Sequence, residues 1–142
     1  LVGAAVAVVE AHLIGDADLV RSADVVLLPY ESREQVSSGV LVEALASGKP
    51  TVATRFPHAV ELLAGGAGVL VEHGDAAGMA DAIHGIVTNP VNARRMSEAA
   101  RREASWLLWP KVGEDFASLI ERCTTPSGGG RHAGLESVGS AA

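Results

Sequence analysis

The sequence contains little cysteine, few aromatic residues and no excess of positive charge. Cys123 is the single cysteine among 142 residues, so no disulfide within the sequence and no cysteine-based metal site can form. A reducing, cytoplasmic location is the expectation that follows. Aromatics make up 4% of the residues and hydrophobic residues 48%, so the core has to be built from Val, Leu, Ile and Ala. The formal net charge of -6 argues against a nucleic-acid partner, which would require a clustered basic face.

The sequence also lacks the apolar run of about 20 residues that a membrane span requires. The apolar run that opens it, residues 1–9, is interrupted by Glu10 and His12, and no basic leader of a signal peptide precedes it. We therefore expect no integral membrane segment, while peripheral membrane contact stays open. Residues 1–9 are interpreted as a buried strand or helix, and the chain as a fragment that begins inside a domain.

Short apolar runs alternate with helical patterns along the chain. Strands are predicted at residues 25–28, 51–54 and 67–71. This alternation predicts an α/β fold, with a Rossmann-like parallel sheet and helices on both faces. Residues 123–142 are rich in Gly and Ser and are predicted to be a disordered tail. The predicted helices cover residues 16–22, 40–47, 58–63, 75–87, 91–105 and 106–122.

The loop after the strand 25–28 is the first candidate for a binding site, because open α/β sheets bind ligands beyond the carboxyl ends of their strands. Ser37, Ser38 and Gly39 lead from this loop into the helix that begins at Val40. Free backbone N–H groups and the positive end of the dipole make a helix start a site for phosphate, and Gly39 permits a close approach. Ordinary N-capping by Ser37 or Ser38 is the alternative interpretation.

Glu43 lies in the middle of this helix, which is otherwise almost wholly apolar. A helix of this composition is largely buried, and a buried carboxylate without a partner is costly. A cation from elsewhere would satisfy it, and so would a pair of sugar hydroxyls, as in the ribose sites of dinucleotide-binding folds. The alternative is that Glu43 lies on a narrow solvent-facing edge of the helix.

Two stretches, ADVVLLPY at residues 23–30 and SGVLVEALASGKPTVA at residues 38–53, carry a resemblance. They resemble the donor-binding domain of family-four retaining glycosyltransferases with the GT-B fold, and the resemblance covers roughly residues 16–120. It implies that residues 1–122 form an incomplete C-terminal, nucleotide-sugar-binding domain of a GT-B fold.

The resemblance also assigns residues. In that family two glutamates stand eight positions apart, and the second, which binds the donor ribose, corresponds to Glu43. The first contacts the donor sugar and corresponds to Gln35, an amide that can hydrogen-bond sugar hydroxyls but supplies no negative charge. A shift of one residue would place Glu34 there instead. Backbone amides between the two bind the diphosphate, which implies Val36, Ser37, Ser38, Gly39 and Val40.

The implied activity belongs to the full-length protein. It is the transfer of a hexose, with retention, from a nucleoside diphosphate sugar to a sugar, lipid or small-molecule acceptor. The acceptor would be bound by an N-terminal domain that is missing here, so this chain alone is expected to be inactive. The donor is a substrate, and no cofactor or metal is expected. Two alternatives stay open: a nucleotide-sugar epimerase of the same fold, and a degenerate domain that binds or scaffolds without catalysis.

The histidines offer no metal site. His73, His84 and His132 lack the spacing of metal ligands. His58 follows the strand 51–54 near the candidate edge of the sheet and could approach a ligand, but a structural or exposed role is the preferred interpretation.

Overall fold

The structure, a computed structural model, describes residues 6–8, 17–34 and 36–124. Within these ranges there are four strands and six helices, and residues 6–8 of the opening apolar run form a strand. The rest of that run, residues 1–5 and 9, lies outside the described residues. The predicted tail from 125 onward lies outside the described residues. In chain order the elements are β1 (Val6–Val8), α1 (Ala17–Ser22), β2 (Val25–Leu28), α2 (Gly39–Ala46), β3 (Thr51–Thr54), α3 (Pro57–Leu63), β4 (Gly68–Val71), α4 (Ala76–Val87), α5 (Pro90–Ala104) and α6 (Trp109–Thr124).

The described strands form one parallel sheet in the order β1-β2-β3-β4. Leu27 pairs with Val52, and Val52 pairs in turn with Val69, so the middle of the sheet is in continuous register. Parallel neighbours require a crossover between them, and α2 and α3 supply the crossovers after β2 and β3. The expected α/β class with a parallel sheet is confirmed.

Successive side chains of the strands point to opposite faces of the sheet, and each face carries a core. In β2, Val26 and Leu28 belong to the cluster formed with α1, α2, α3 and α5, whereas Val25 belongs to the cluster formed with α4 and α5. In β3, Ala53 and Val52 divide between the two clusters in the same way. Helices therefore cover both faces, as the alternation of elements predicted.

The helix α2 packs in the first of these two cores, and its N-terminal end lies at the candidate site. Its buried side chains are Val40, Leu41, Ala44 and Leu45. The backbone leaves the helix through Gly48, whose φ of 66° lies in the left-handed region that glycine tolerates best. Lys49 then leads towards β3. The α2 helix therefore connects β2 to β3, two parallel strands whose carboxyl ends lie at the same edge of the sheet.

The last helix differs most from its prediction. The α6 helix begins at Trp109 rather than at residue 106 and extends to Thr124, two residues past the predicted boundary at 122. None of its residues is buried. Among the described residues, no helix combines the length and the apolar character needed to cross a bilayer.

Candidate functional site

The loop after β2 is attached to the neighbouring strand at its first residues. Thr54, at the end of β3, is 3% exposed, and its hydroxyl donates a hydrogen bond to the Tyr30 carbonyl oxygen at 2.6 Å. The Tyr30 ring packs on Phe56 with a centroid separation of 5.0 Å, and Phe56 is fully buried. The Thr54 hydroxyl also lies 3.4 Å from the Leu28 carbonyl oxygen, so its contacts and the aromatic pair hold the carboxyl ends of β2 and β3 together.

Ser38 fixes the other end of the loop. It is 4% exposed and is the N-cap of α2, since its Oγ accepts the Leu41 N–H at 3.2 Å. The same Oγ lies 3.2 Å from the Tyr30 hydroxyl, and the Ser38 N–H donates to Nδ1 of His58 at 2.9 Å. The capping interpretation therefore holds for Ser38, while Ser37 is exposed.

Two backbone donors at the start of α2 are available to a ligand. The N–H groups of Gly39 and Val40 have no hydrogen-bond partner among the described residues, as expected for the first turn of a helix. Gly39 is exposed, and a Cβ added to it would meet nothing within 4 Å. The Val40 side chain is 2% exposed and packs in the core, so only its backbone faces the site.

Glu43 follows Gly39 by four residues and lies on the same face of the helix. It is half-buried, so the expectation of a largely buried carboxylate is only partly met and the edge of α2 at Glu43 is open to solvent. Within the described part of the chain its carboxylate has no hydrogen bond and no ion pair. An unpaired carboxylate therefore lies one helical turn beyond two unpaired amides.

The other predicted site residues lie in the loop before Ser38. Gln35 lies outside the described residues, so its contact with a donor sugar stays a prediction. Glu34, the shifted alternative, is exposed, and its N–H donates to the Ser32 hydroxyl at 3.3 Å. Val36 is 80% exposed, so its side chain does not pack in the core.

Two cavities bear on where a ligand would bind. One of about 200 Å³ lies at the carboxyl edge, between Tyr30, Thr54 and the start of α4 at Asp75. The larger, of about 540 Å³, lies at the amino ends of β2 and β3, beside Lys49, Arg94 and Arg101. Because parallel sheets bind ligands at their carboxyl ends, we place the site at that edge, at the start of α2. The smaller cavity is lined by none of Ser38, Gly39, Val40 and Glu43, and it is linked to them through Tyr30, whose hydroxyl contacts Ser38.

Sequence reasoning missed the Thr54 hydroxyl at this edge. It placed His58 near the edge with a structural role as the preferred interpretation, and the hydrogen bond to the Ser38 N–H agrees with that role, although the partner was not predicted. The position of His58 after β3 was the available signal, but its hydrogen bond spans twenty residues of sequence and carries no periodic pattern. No group of three or more His, Cys, Asp or Glu among the described residues is placed to hold a metal ion.

Comparison with known proteins shows where this architecture recurs. Residues 9–89 match the family model described as glycosyl transferases group 1. A phosphatidyl-myo-inositol mannosyltransferase of Mycobacterium leprae is 34% identical over 112 residues, which cover 78% of this chain and 30% of that protein.

Solved structures show the same fold. A sucrose-phosphate synthase from Thermosynechococcus elongatus superposes with a TM-score of 0.62 at 26% identity, over 74% of this chain and 27% of that one. Anabaena Alr3699/HepE, solved in complex with UDP, superposes with a TM-score of 0.68 at 23% identity, over 80% of this chain and 30% of that one. The chain thus spans less than a third of the length of each of these relatives.

Proposed function

The chain belongs to the group 1 glycosyl transferases, and from that premise we propose that it provides the donor-binding part of a retaining glycosyltransferase. The full-length protein would transfer a hexose from a nucleoside diphosphate sugar to an acceptor bound elsewhere in the protein. One observation carries the proposal: at the start of α2 the Gly39 and Val40 amides, and one turn later the Glu43 carboxylate, have no partner among the residues that the structure describes.

The diphosphate is assigned to the start of α2. The two free amides of Gly39 and Val40 are donors, and the helix dipole adds roughly half a positive charge at that end. The open space where a Gly39 Cβ would lie lets phosphate oxygens reach the backbone.

The ribose is assigned to Glu43. A helix rises about 1.5 Å per residue, so Glu43 lies about 6 Å along the axis from Gly39, a span that a ribose diphosphate can bridge. A carboxylate can accept a hydrogen bond from each hydroxyl of a vicinal diol. Half-burial of Glu43 strengthens these bonds relative to a fully solvated carboxylate, because the local dielectric constant is lower.

The donor class and the acceptor rest on the comparisons. Structures of Anabaena Alr3699/HepE with UDP and with UDP-glucose support a nucleoside diphosphate sugar, and the mannosyltransferase relative supports a hexose. The name of that relative keeps a lipid among the candidate acceptors. Contact of Gln35 with the sugar, retention at the anomeric carbon and a cytoplasmic location belong to the proposal as well. The epimerase alternative is not favoured, because the matched family and relatives are glycosyltransferases.

The proposal is tested by nucleotide binding to the full-length protein. Isothermal titration calorimetry with UDP, GDP and ADP should reveal one preferred nucleotide. Glu43→Ala should then lose about 1–3 kcal/mol of binding free energy, because two hydrogen bonds to a charged acceptor disappear. Glu98→Ala, which removes an exposed carboxylate from α5, is the matched control and should bind as the parent protein does.

Two results would count against the proposal, at different levels. Absence of binding for all three nucleotides and for their glucose or mannose conjugates would contradict donor binding as a whole. An unchanged affinity of Glu43→Ala, beside clear binding by the parent, would remove ribose recognition from Glu43 alone.

A further inference from the structure

His58 is linked to the candidate site by a hydrogen bond that places a constraint on its ring. Its Nδ1 accepts the backbone N–H of Ser38 at 2.9 Å. A ring nitrogen that accepts a hydrogen bond carries no proton, so the neutral imidazole has its proton on Nε2. His58 is half-buried in the first turn of α3.

The backbone that carries His58 is firmly placed. Pro57 opens α3, and its ring restricts φ to values that suit the first turn of a helix. Phe56, immediately before it, is fully buried and packs against Tyr30. The imidazole therefore extends from a rigid segment that is itself in contact with the loop after β2.

The hydrogen bond from the Ser38 N–H to His58 bears on the Gly39 and Val40 amides, which follow Ser38 directly. Ser38 precedes Gly39 and Val40 directly, and its hydroxyl already contacts Leu41 and Tyr30. The bond to His58 ties its N–H to α3, so Ser38 is held by α2, by the loop after β2 and by α3 at once. With the Ser38 N–H occupied in this way, the donors left at the start of α2 are those of Gly39 and Val40.

We propose that His58 is a positioning residue for the nucleotide: its Nδ1 holds the Ser38 amide so that the Gly39 and Val40 amides converge on the diphosphate. The inference rests on the proposed function of the site. It also narrows the expectation that every amide from Val36 to Val40 binds phosphate, because the Ser38 amide is bound to His58.

The test compares three variants at His58 with a matched control in the full-length protein, with UDP or whichever nucleotide binds the parent as the probe. His58→Ala removes the acceptor. His58→Asn keeps one, because the Asn Oδ1 lies near the position of Nδ1, whereas the longer side chain of His58→Gln does not place its oxygen there. His84→Ala, on the exposed face of α4, controls for loss of a histidine.

His58→Ala should weaken nucleotide binding about fivefold to tenfold, the scale of one hydrogen bond. His58→Asn should bind within about twofold of the parent, His58→Gln should be as weak as His58→Ala, and His84→Ala should be unchanged. In steady-state assays of His58→Ala, the donor KM should rise while kcat and the acceptor KM stay close to the parent values, because uniform donor binding is lost. Amide hydrogen exchange at Ser38 should accelerate in the same variant.

The outcomes separate the two proposals. Parent-like binding by His58→Ala, or equal weakening in His58→Asn and His58→Gln, overturns the positioning role and leaves donor binding by the domain intact. Absence of nucleotide binding in the parent overturns both. If His58→Ala does not fold, the Asn and Gln variants decide: parent-like binding by Asn alone supports the role, and equal binding by both refutes it.

Discussion

The substitution Gly39→Ala tests whether glycine at this position is needed for folding or for ligand binding. Gly39 is the first residue of α2, and its φ lies outside the left-handed region that would demand glycine. A Cβ at this position meets nothing within 4 Å, so no neighbouring atom excludes a side chain. The structure thus gives no reason within the protein for glycine here. A phosphate that approaches the Gly39 and Val40 amides does give one.

Gly39→Ala is expected to leave the stability of the protein unchanged or raise it, and to lower its affinity for the nucleotide. Alanine loses less backbone entropy on folding than glycine, so the free energy of unfolding should stay unchanged or rise by up to about 1 kcal/mol. For a domain of this size that is a rise in Tm of about 4 °C or less. Nucleotide affinity should fall at least about tenfold, because a methyl group in contact range of two amides displaces the phosphate oxygens that they bind. Thermal melting and titration calorimetry on the full-length protein measure the two effects separately.

Gly85→Ala is the matched control. Gly85 lies in the last turn of α4, has the same open surroundings for an added Cβ, and is not adjacent to the site. It should stabilise the protein by a similar or larger amount and leave nucleotide affinity unchanged. A loss of more than 1 kcal/mol of stability in Gly39→Ala would show a structural need for glycine that the packing does not reveal. Parent-like nucleotide affinity in a folded Gly39→Ala would place the diphosphate elsewhere.

Two further changes test the scaffold of the site. Ser38→Ala should lower the free energy of unfolding in urea by about 1–2 kcal/mol, more than the exposed cap variant Asn89→Ala, because it removes the cap of α2 together with the buried contact to Tyr30; equal losses in the two variants would contradict this ranking. Gly68→Ala should cost at least about 2 kcal/mol in the same assay, because its Cβ would collide with the Thr51 carbonyl oxygen inside the β3–β4 pair. A parent-like midpoint for Gly68→Ala would show that β4 shifts readily.

The bounds of a strand could be predicted correctly wherever the composition of the sequence changes abruptly at its ends. Both β2 and β3 have the predicted bounds, since Pro29 ends one apolar run and Pro50 precedes the other. Helix starts were less accurate: α1, α2 and α4 each begin one residue from the predicted start, and the other three helices have a proline in the first turn. Pro57 and Pro90 are the first residues of α3 and α5, each one residue before the predicted start, and Pro110 lies in the first turn of α6. Proline is favoured in the first turn of a helix, so these three residues could have been used to predict where α3, α5 and α6 begin.

The candidate site was predictable where it depends on local geometry. A serine before a glycine at the start of an apolar helix indicates a cap and free amides, and the structure has both at Ser38 and Gly39. Burial of Glu43 was not predictable, because it depends on which side of α2 its neighbours cover. Ala100 and Ala104 of α5 pack in the same core as α2, and Glu43 remains half-buried. The same limit applies to His58, whose partner is set by the placement of α3.

The acidic composition does not conflict with the proposed anionic ligand, because the backbone N–H groups of Gly39 and Val40 would make the phosphate contacts. The protein carries a formal net charge of -6, and Arg55 at the end of β3 is already paired with Glu72 at 2.7 Å. A phosphate bound by side-chain cations would require a basic surface, whereas two helix-terminal amides act over a short range that the net charge does not cancel. In the proposed arrangement, binding would depend on the residues that shape or hold the backbone, Gly39, Ser38 and His58, together with the carboxylate of Glu43.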